Sequence, residues 1–184
     1  MSEPHSHSPG PLADASVRTA RVTDAPAVGL VQALVWQEAF AGVLPAEALE
    51  QFEGPAFAAA WRRSLEDPPS PVHRLLVACA GAQVVGFAAI APTAESGVGE
   101  LLVLGVHPDA RRAGHGSRLL NAAADTLRAH DRTELHAWVP AADEPTRAFL
   151  SASGLGPDGA WRDRVIDPEG ATLREVRLVG SLGS

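Results

Sequence analysis

The chain of 184 residues lacks several features, and each absence excludes a class of protein. All fifteen basic residues are arginines, so there is no lysine to act as a phosphate ligand, and tyrosine is also absent. The one cysteine, Cys79, excludes a disulfide framework, which makes a reducing cytoplasm the expected location. No uninterrupted apolar run is long enough to cross a bilayer.

The balance of charge narrows the choice of partners. The formal net charge is −7, whereas nucleic acids and anionic membranes bind through basic patches. We therefore expect the protein to bind neither nucleic acid nor a membrane. Its negative charge mildly favours a partner that carries an amine. The sequence carries no signal on oligomeric state, and a homodimer is compatible with it.

The chain divides into a short tail and one domain. Residues 1–15 are rich in Ser, Pro, His and Gly and have no apolar segment of the kind found in signal peptides, so we expect a disordered tail there. A chain of 184 residues is long enough for a single buried core, and 46% of its residues are hydrophobic. Residues 16–180 are therefore expected to form one domain, and they contain no internal repeat.

Hydrophobic periodicity and turn residues predict an alternation of strands and helices. Asp24 and Asp143 are the expected N-caps of the first and last helices. The order predicts a mixed α/β sheet flanked by helices, with the apolar segment 101–106 as a central strand buried on both faces. The predicted strands are 16–21, 74–80, 84–91, 97–106, 134–139, 159–166 and 173–178, and the predicted helices are 25–40, 45–52, 56–65, 117–130 and 144–153.

The most informative segment lies between the strand at 101–106 and the helix at 117–130. The first amides of a helix have no partner within the helix, and the helix dipole adds partial positive charge at the same place. Two glycines without Cβ atoms let an anion approach the backbone closely, and either can adopt a positive φ. The segment is therefore expected to bind a diphosphate. It consists of Arg111, Arg112, Ala113, Gly114, His115, Gly116 and Ser117.

The spacing excludes two common phosphate-binding loops. A P-loop requires Gly-Lys-Ser/Thr, but Ser117 follows Gly116 directly. A dinucleotide fingerprint requires a third small residue where this chain has Leu119. The remaining alternative is a strand-to-helix turn that binds no ligand.

The pattern Arg-x-x-Gly-x-Gly, preceded by Val106-His107-Pro108, resembles motif A of the GCN5-related N-acetyltransferases (GNAT). The order of elements matches the GNAT fold over residues 17–179. The resemblance implies transfer of an acetyl group from acetyl-CoA to an amine of a small molecule or a protein. It further implies that acyl-CoA binds to the backbone at Leu104, Val106 and residues 111–117. No metal is implied.

A second stretch, residues 146–155, resembles the family pattern Asn-x-x-Ala-x-x-Phe-Tyr-x-x-x-Gly-Phe. Aligning Gly154 places Asp143 on the asparagine, which makes Asp143 a further candidate contact of acyl-CoA, and Leu150 on the tyrosine. In the family this tyrosine commonly protonates the leaving thiolate. A thiol of pKa about 8.5 leaves as thiolate near pH 7.5 at a cost of only ~1.4 kcal/mol, whereas freeing an amine of pKa about 10.4 costs ~4 kcal/mol. The loss should therefore slow transfer without abolishing it, with water or Ser151 as the proton donor.

Glu100 is the candidate general base, because the family often carries a glutamate at the start of the strand before motif A. Strand alternation places it on the same face as Leu104 and Val106 unless a bulge intervenes. A solvated carboxylate at the end of a strand is the alternative, and His107 and His136 are weaker candidates for the base. We expect direct attack by the amine, because Cys79 lies in an apolar run two strands away.

The acceptor site is the least defined part of the prediction. In the family it lies between the first helices and the last hairpin, so Trp36 and Phe40 on one side and Trp161 and Arg162 on the other are candidates. Two functions remain open: an acyltransferase, and a catalytically weak GNAT-like module that binds or senses acyl-CoA. The absence of tyrosine favours the second, whereas Glu100 and the intact motif favour the first.

Overall fold

Seven strands form one mixed sheet in the computed structural model, which describes residues 15–183. The predicted fold class is confirmed, and the elements follow the predicted order. The predicted tail lies outside the described residues except for Ala15. The strands are β1 (Ala15–Thr19), β2 (Arg74–Ala80), β3 (Gln83–Pro92), β4 (Val98–Val106), β5 (Glu134–Pro140), β6 (Gly156–Val165) and β7 (Thr172–Ser181). The helices are α1 (Ala25–Phe40), α2 (Ala46–Leu49), α3 (Gly54–Glu66), α4 (His115–Ala129) and α5 (Glu144–Ala152).

The strand order in the sheet is β1-β2-β3-β4-β5-β7-β6. Neighbouring strands are antiparallel except β4 and β5, which are parallel. A parallel pair requires a crossover connection, and α4 supplies it. The motif between β4 and α4 therefore lies at the carboxyl end of the central strand.

The two faces of the sheet carry separate cores. The α4 face buries α4 through Leu119, Ala123 and Leu127, which repeat at four-residue spacing, against residues of β2–β5 and β7. The α1 face buries Val28 and Val31 of α1 against β2 and β3, and Val103 of β4 and Trp61 of α3 pack against this core. No helix within residues 15–183 is both long and apolar enough to span a membrane.

The central strand differs from the prediction in its second half. Leu102 is 52% exposed, and Leu104 and Val106 are only half-buried. The expectation of burial on both faces was wrong because β4 pairs with β5 only as far as Leu101. The remaining residues of β4 border an opening.

Asp24 is the N-cap residue of α1, as predicted, but its side chain has another role. The side chain of Asp24 makes no cap hydrogen bond to α1. It accepts a hydrogen bond from the Arg21 N–H and forms an ion pair with Arg18. The Arg18 guanidinium, at 2.7 Å, holds the pKa of the Asp24 carboxyl below its usual value. Asp24 therefore secures the connection from β1 to α1 through a short 3₁₀ turn.

Candidate active site

The parallel strands β4 and β5 separate after four paired residues. Val98 to Leu101 lie opposite Glu134 to Ala137, and beyond that point β4 continues to Val106 and β5 to Pro140 without pairing. Backbone groups along this gap have no sheet partner. A flat, extended ligand could therefore be bound there through main-chain hydrogen bonds.

Two N–H groups of β4 are directed into the gap. The His107 N–H donates to the Val85 carbonyl of β3 at 2.7 Å. Opposed residues in an antiparallel pair alternate between hydrogen-bonded and non-hydrogen-bonded pairs. Leu104 and Val106, opposite Ala88 and Gly86, therefore point their N–H groups away from β3. These are the two strand residues that the resemblance places at acyl-CoA.

The turn before α4 contains two residues in the left-handed region. Gly114 has φ of 80° and Arg112 has φ of 62°. Alternation of left-handed and right-handed residues turns successive N–H groups towards one concavity that suits an anion. Gly116 is helical, so only Gly114 uses the conformational freedom expected of both glycines. A Cβ at Gly116 would lie 3.4 Å from the ring of Phe149, which is ordinary contact, so Phe149 limits only side chains that extend beyond a Cβ.

Positive charge is arranged around the turn in two ways. Arg111 forms an ion pair with Glu38 of α1 at 2.7 Å, which ties the end of α1 to the turn. Arg118 donates to the Ala113 carbonyl at 3.0 Å and lies beside Gly114. Sequence reasoning missed Arg118, although its position four residues after Gly114 places it over the first turn of α4.

His115 is buried at the start of α4, directly after the turn. It is 4% exposed, it continues the buried stripe of Leu119, and its Nδ1 has no hydrogen-bond partner within residues 15–183. Burial, with a smaller contribution from Arg118, lowers the pKa of the imidazole below its usual value. The neutral form therefore predominates at pH 7.

This burial predicts a specific dependence of stability on pH. A histidine with a lowered pKa in the folded state binds fewer protons than in the unfolded chain, so stability should fall as pH drops below about 6.5. We expect His115→Gln to flatten the loss of melting temperature between pH 7 and pH 5.5. His130→Gln, at the end of α4, is the control. An equal slope in wild type and His115→Gln would contradict the assignment.

A β-bulge determines the direction of Glu100. Ala89 pairs with Val103 and Ile90 with Leu101, so Leu102 is the extra residue on β4. Glu100 lies opposite Ala91 and therefore shares the α1 face with Ala89, whereas Leu104 and Val106 pack against the α4-face core. The bulge thus moves Glu100 to the face opposite that given by simple alternation.

The sequence of the chain matches a known family. A model of the acetyltransferase (GNAT) family matches residues 34–155, about two thirds of the chain. The chain belongs to this family. No curated protein sequence matches it significantly.

Solved structures of GNAT proteins share the fold. PaiA N-acetyltransferase from Thermoplasma acidophilum, in complex with coenzyme A, is 17% identical, with a TM-score of 0.73 over 91% of this chain and 98% of that one. A ribosomal-protein-alanine N-acetyltransferase from Brucella melitensis is 22% identical, with a TM-score of 0.65 over 90% and 99% of the two chains. YncA from Salmonella typhimurium, with acetyl-CoA, is 17% identical, with a TM-score of 0.63 over 93% and 95%.

In this GNAT domain Glu100 has polar neighbours on β5. It is paired in register with His136, which is buried and contacts the Glu134 carboxylate. Trp138 follows two residues later on the same face. His107, the other histidine considered as a base, accepts a hydrogen bond from the Asp109 N–H and stabilises the turn after β4.

The candidate acceptor residues lie in two places. Trp36 and Phe40 of α1 pack edge-on against one another and form an aromatic cluster with Phe52 and Phe57. Trp161 is 58% exposed, and its cross-strand partner Val176 places it on the α4 face, away from Glu100. Its neighbour Arg162 is on the α1 face with Glu100. Sequence reasoning also missed Trp138, which lies under Arg162.

The second motif is structural in this GNAT domain. Asp143 accepts a hydrogen bond from the Thr146 N–H at 3.1 Å and caps α5, as predicted. Leu150, at the position of the family tyrosine, is 2% exposed and lies within the α4-face core. It presents no proton donor to the gap.

Two other features lie apart from this site. An apolar groove of about 600 Å³ between α1 and α3 is lined by Pro26, Leu30 and Pro55, among others, and by none of the candidate site residues. Within residues 15–183 no group of three or more His, Cys, Asp or Glu side chains is arranged to hold a metal ion.

Proposed function

We propose that this GNAT protein, through a domain spanning residues 16–180, is an N-acetyltransferase of the cytoplasm that transfers an acetyl group from acetyl-CoA to an amine. The observation that carries the proposal is the gap between β4 and β5. The N–H groups of Leu104 and Val106 are directed into it, the turn at Gly114 lies at its open end, and Glu100 lies at its closed end.

The residues around the gap fit an acyl-CoA thioester. The pantetheine chain is an extended, amide-bearing segment that can pair with Leu104 and Val106 as a strand would. The diphosphate would lie against the N–H groups of residues 112–117, with Arg111 and Arg118 contributing charge. Acetyl-CoA supplies the acetyl group as a thioester, and PaiA and YncA of the same fold bind coenzyme A or acetyl-CoA.

The proposed reaction is direct attack. The amine nitrogen forms a bond to the thioester carbonyl carbon, and the carbon–sulfur bond breaks. Glu100 accepts the proton that the amine loses, and the thiolate takes a proton from water. Glu100 faces the α1 side of the sheet, so the amine approaches from that side.

The acceptor surface supports a small molecule or an exposed protein amino group. Trp36 and Phe40 would border it on the helical side. On the hairpin side Arg162 would border the acceptor surface. Trp161, the other residue expected there, lies on the opposite face of the sheet.

One observation favours a second function. Leu150 is buried and replaces the family tyrosine, so the domain lacks the usual proton donor. A module that binds acyl-CoA without efficient turnover would have this feature. Glu100 at the closed end of the gap favours catalysis instead, because a binding module has no use for a base there.

A panel of amines tests the proposed function. Wild-type protein is mixed with acetyl-CoA and polyamines, amino acids, alkylamines or peptides with free N-termini, and the release of free thiol is followed. Mass spectrometry then checks that each thiol released is matched by one acetylated amine. Thiol release that does not depend on any amine, or binding of acetyl-CoA without thiol release, would contradict the proposal.

A further inference from the structure

The α1 face of the sheet continues beyond Glu100 as a polar surface. Register places Trp138, Arg177 and Glu175 on this face, and Arg162 lies opposite Glu175. Every residue that β5 and β7 contribute to a described core cluster belongs to the α4 face. The hairpin half of the α1 face therefore carries charged and aromatic side chains in place of a core. We call this surface, formed by Trp138, Arg162, Arg164, Glu175 and Arg177, the hairpin shelf.

The charges on the hairpin shelf do not balance. Arg177 is paired with Asp158 at 2.6 Å. Arg162 and Arg164 share a single carboxylate, Glu175, at 2.6 Å and 3.5 Å. Within the hairpin shelf three arginines therefore pair with two carboxylates, and Glu95 and Glu134 add negative charge near Arg177.

Arg162 is held in a fixed orientation that leaves its outer edge free. Its Nε donates to Glu175, whose side chain is only 4% exposed, and its guanidinium carbon lies 4.4 Å from the centre of the Trp138 ring. The two terminal nitrogens of Arg162 have no hydrogen-bond partner in the part of the chain that the structure describes. A planar guanidinium with free terminal N–H groups binds a carboxylate or phosphate through two parallel hydrogen bonds.

The position of Arg162 relative to Glu100 defines the ligand. Trp138 is one strand across and two residues beyond the pairing of Glu100 with His136. Strand spacing and rise place its Cα roughly 8 Å from that of Glu100. The guanidinium over Trp138 and the carboxylate of Glu100 are thus separated by several bond lengths along one face.

We infer that the acceptor of this enzyme is an amine that carries an anionic group several bonds away. Glu100 receives the proton of the amine, and Arg162 binds the carboxylate, phosphonate or phosphate at the other end. Glu175 and Trp138 orient Arg162, and the guanidinium of Arg164 adds to the positive field. The inference rests on the proposed acetyl transfer and specifies its acceptor.

A series of ω-amino acids of increasing chain length tests the inference. The value of kcat/KM is measured with acetyl-CoA for amino acids from glycine to 6-aminohexanoate, and each is compared with the uncharged methylamide of the same length. Aminoalkylphosphonates distinguish a phosphate-like anion from a carboxylate. We expect the anionic acceptors to exceed the methylamides by about 10- to 100-fold at an optimum longer than glycine.

Two variants identify the residue responsible. Arg162→Gln should lower the ratio of the two kcat/KM values about 10- to 100-fold. Arg174→Gln is the matched control, because Arg174 lies on the same hairpin, pairs with Asp163 and stacks on Trp161 on the opposite face. It should leave the ratio unchanged.

The outcomes separate the inference from the proposed function. Equal kcat/KM for charged and uncharged acceptors, or a ratio unaffected by Arg162→Gln, would overturn the inference while leaving acetyl transfer intact. If no amine is acetylated, calorimetry with 6-aminohexanoate and its methylamide in the presence of coenzyme A decides. Preferential binding of the anion that Arg162→Gln removes supports the shelf as an anion site, and its absence refutes it.

Discussion

Replacing Glu100 with glutamine is expected to lower kcat by about 10²- to 10⁴-fold near pH 7 and to leave the affinity for acetyl-CoA unchanged. Glutamine has the same shape but cannot accept the proton of the amine. A primary amine of pKa about 10.4 is almost entirely protonated at neutral pH, so loss of the base affects the step directly. The deficit should shrink at high pH, where the amine loses its proton unaided.

Steady-state rates of thiol release from pH 6.5 to pH 10 measure this effect, and calorimetry measures binding. Glu95→Gln is the matched control, because it removes the same charge from the β3–β4 connection outside the gap. If Glu100→Gln turns over an accepted amine at the wild-type rate near pH 7, Glu100 is not the general base and is only a carboxylate near the end of the β4–β5 pairing.

Replacing both Gly114 and Gly116 with valine is expected to weaken binding of acetyl-CoA by about 100-fold or more. Gly114 is in the left-handed region, with φ of 80°, and a β-branched residue there would turn the N–H groups out of the concavity. A side chain at Gly116 would displace Phe149 or enter the space beside Val106. About two charge-assisted hydrogen bonds would be lost, each worth about 1.5–3 kcal/mol.

The strain of the substitution needs its own control. Gly170, in the β6–β7 turn, has φ of 89° and open space around its Cβ position. Gly170→Val therefore carries the same backbone strain far from the gap, and melting temperatures of both variants report folding. Calorimetry that shows unchanged affinity for acetyl-CoA in the Gly114→Val/Gly116→Val variant would refute the site.

The motif before α4 was recognisable in the sequence because its physics is local. A strand, a turn with glycines and an amphipathic helix follow one another within a short segment. Sequence placed the start of α4 two residues late, at Ser117, whereas the helix begins at His115. Gly116 was expected in the turn, but it lies in the first turn of α4. The residues of the turn with positive φ are Arg112 and Gly114.

The bulge at Leu102 could not be predicted from the sequence. Residues 101–106 are apolar at nearly every position, so a shift of register exchanges one apolar residue for another and leaves the hydrophobic pattern unchanged. The same lack of contrast concealed the exposure of Leu102 beside the gap. Both features depend on where β5 separates from β4, which is a tertiary property.

The acceptor side was predicted least well, for a different reason. Trp161 and Arg162 are consecutive in a strand and must point to opposite faces, so only one of them can face Glu100. Register alone decides between them, and it depends on the pairing of Arg162 with Glu175 and of Arg177 with Trp138. The hairpin shelf combines residues of β5, β6 and β7, and its composition is visible only once the three strands are aligned.

Ligand binding in the gap between β4 and β5 is the feature on which the proposed function depends. A titration of isotope-labelled protein with coenzyme A, followed by NMR of the backbone amides, tests it directly. We expect the largest shifts at Leu104, Val106 and residues 112–117. Shifts confined elsewhere, such as the apolar groove around Leu30 and Pro55, or no saturable shift at all, would contradict the site.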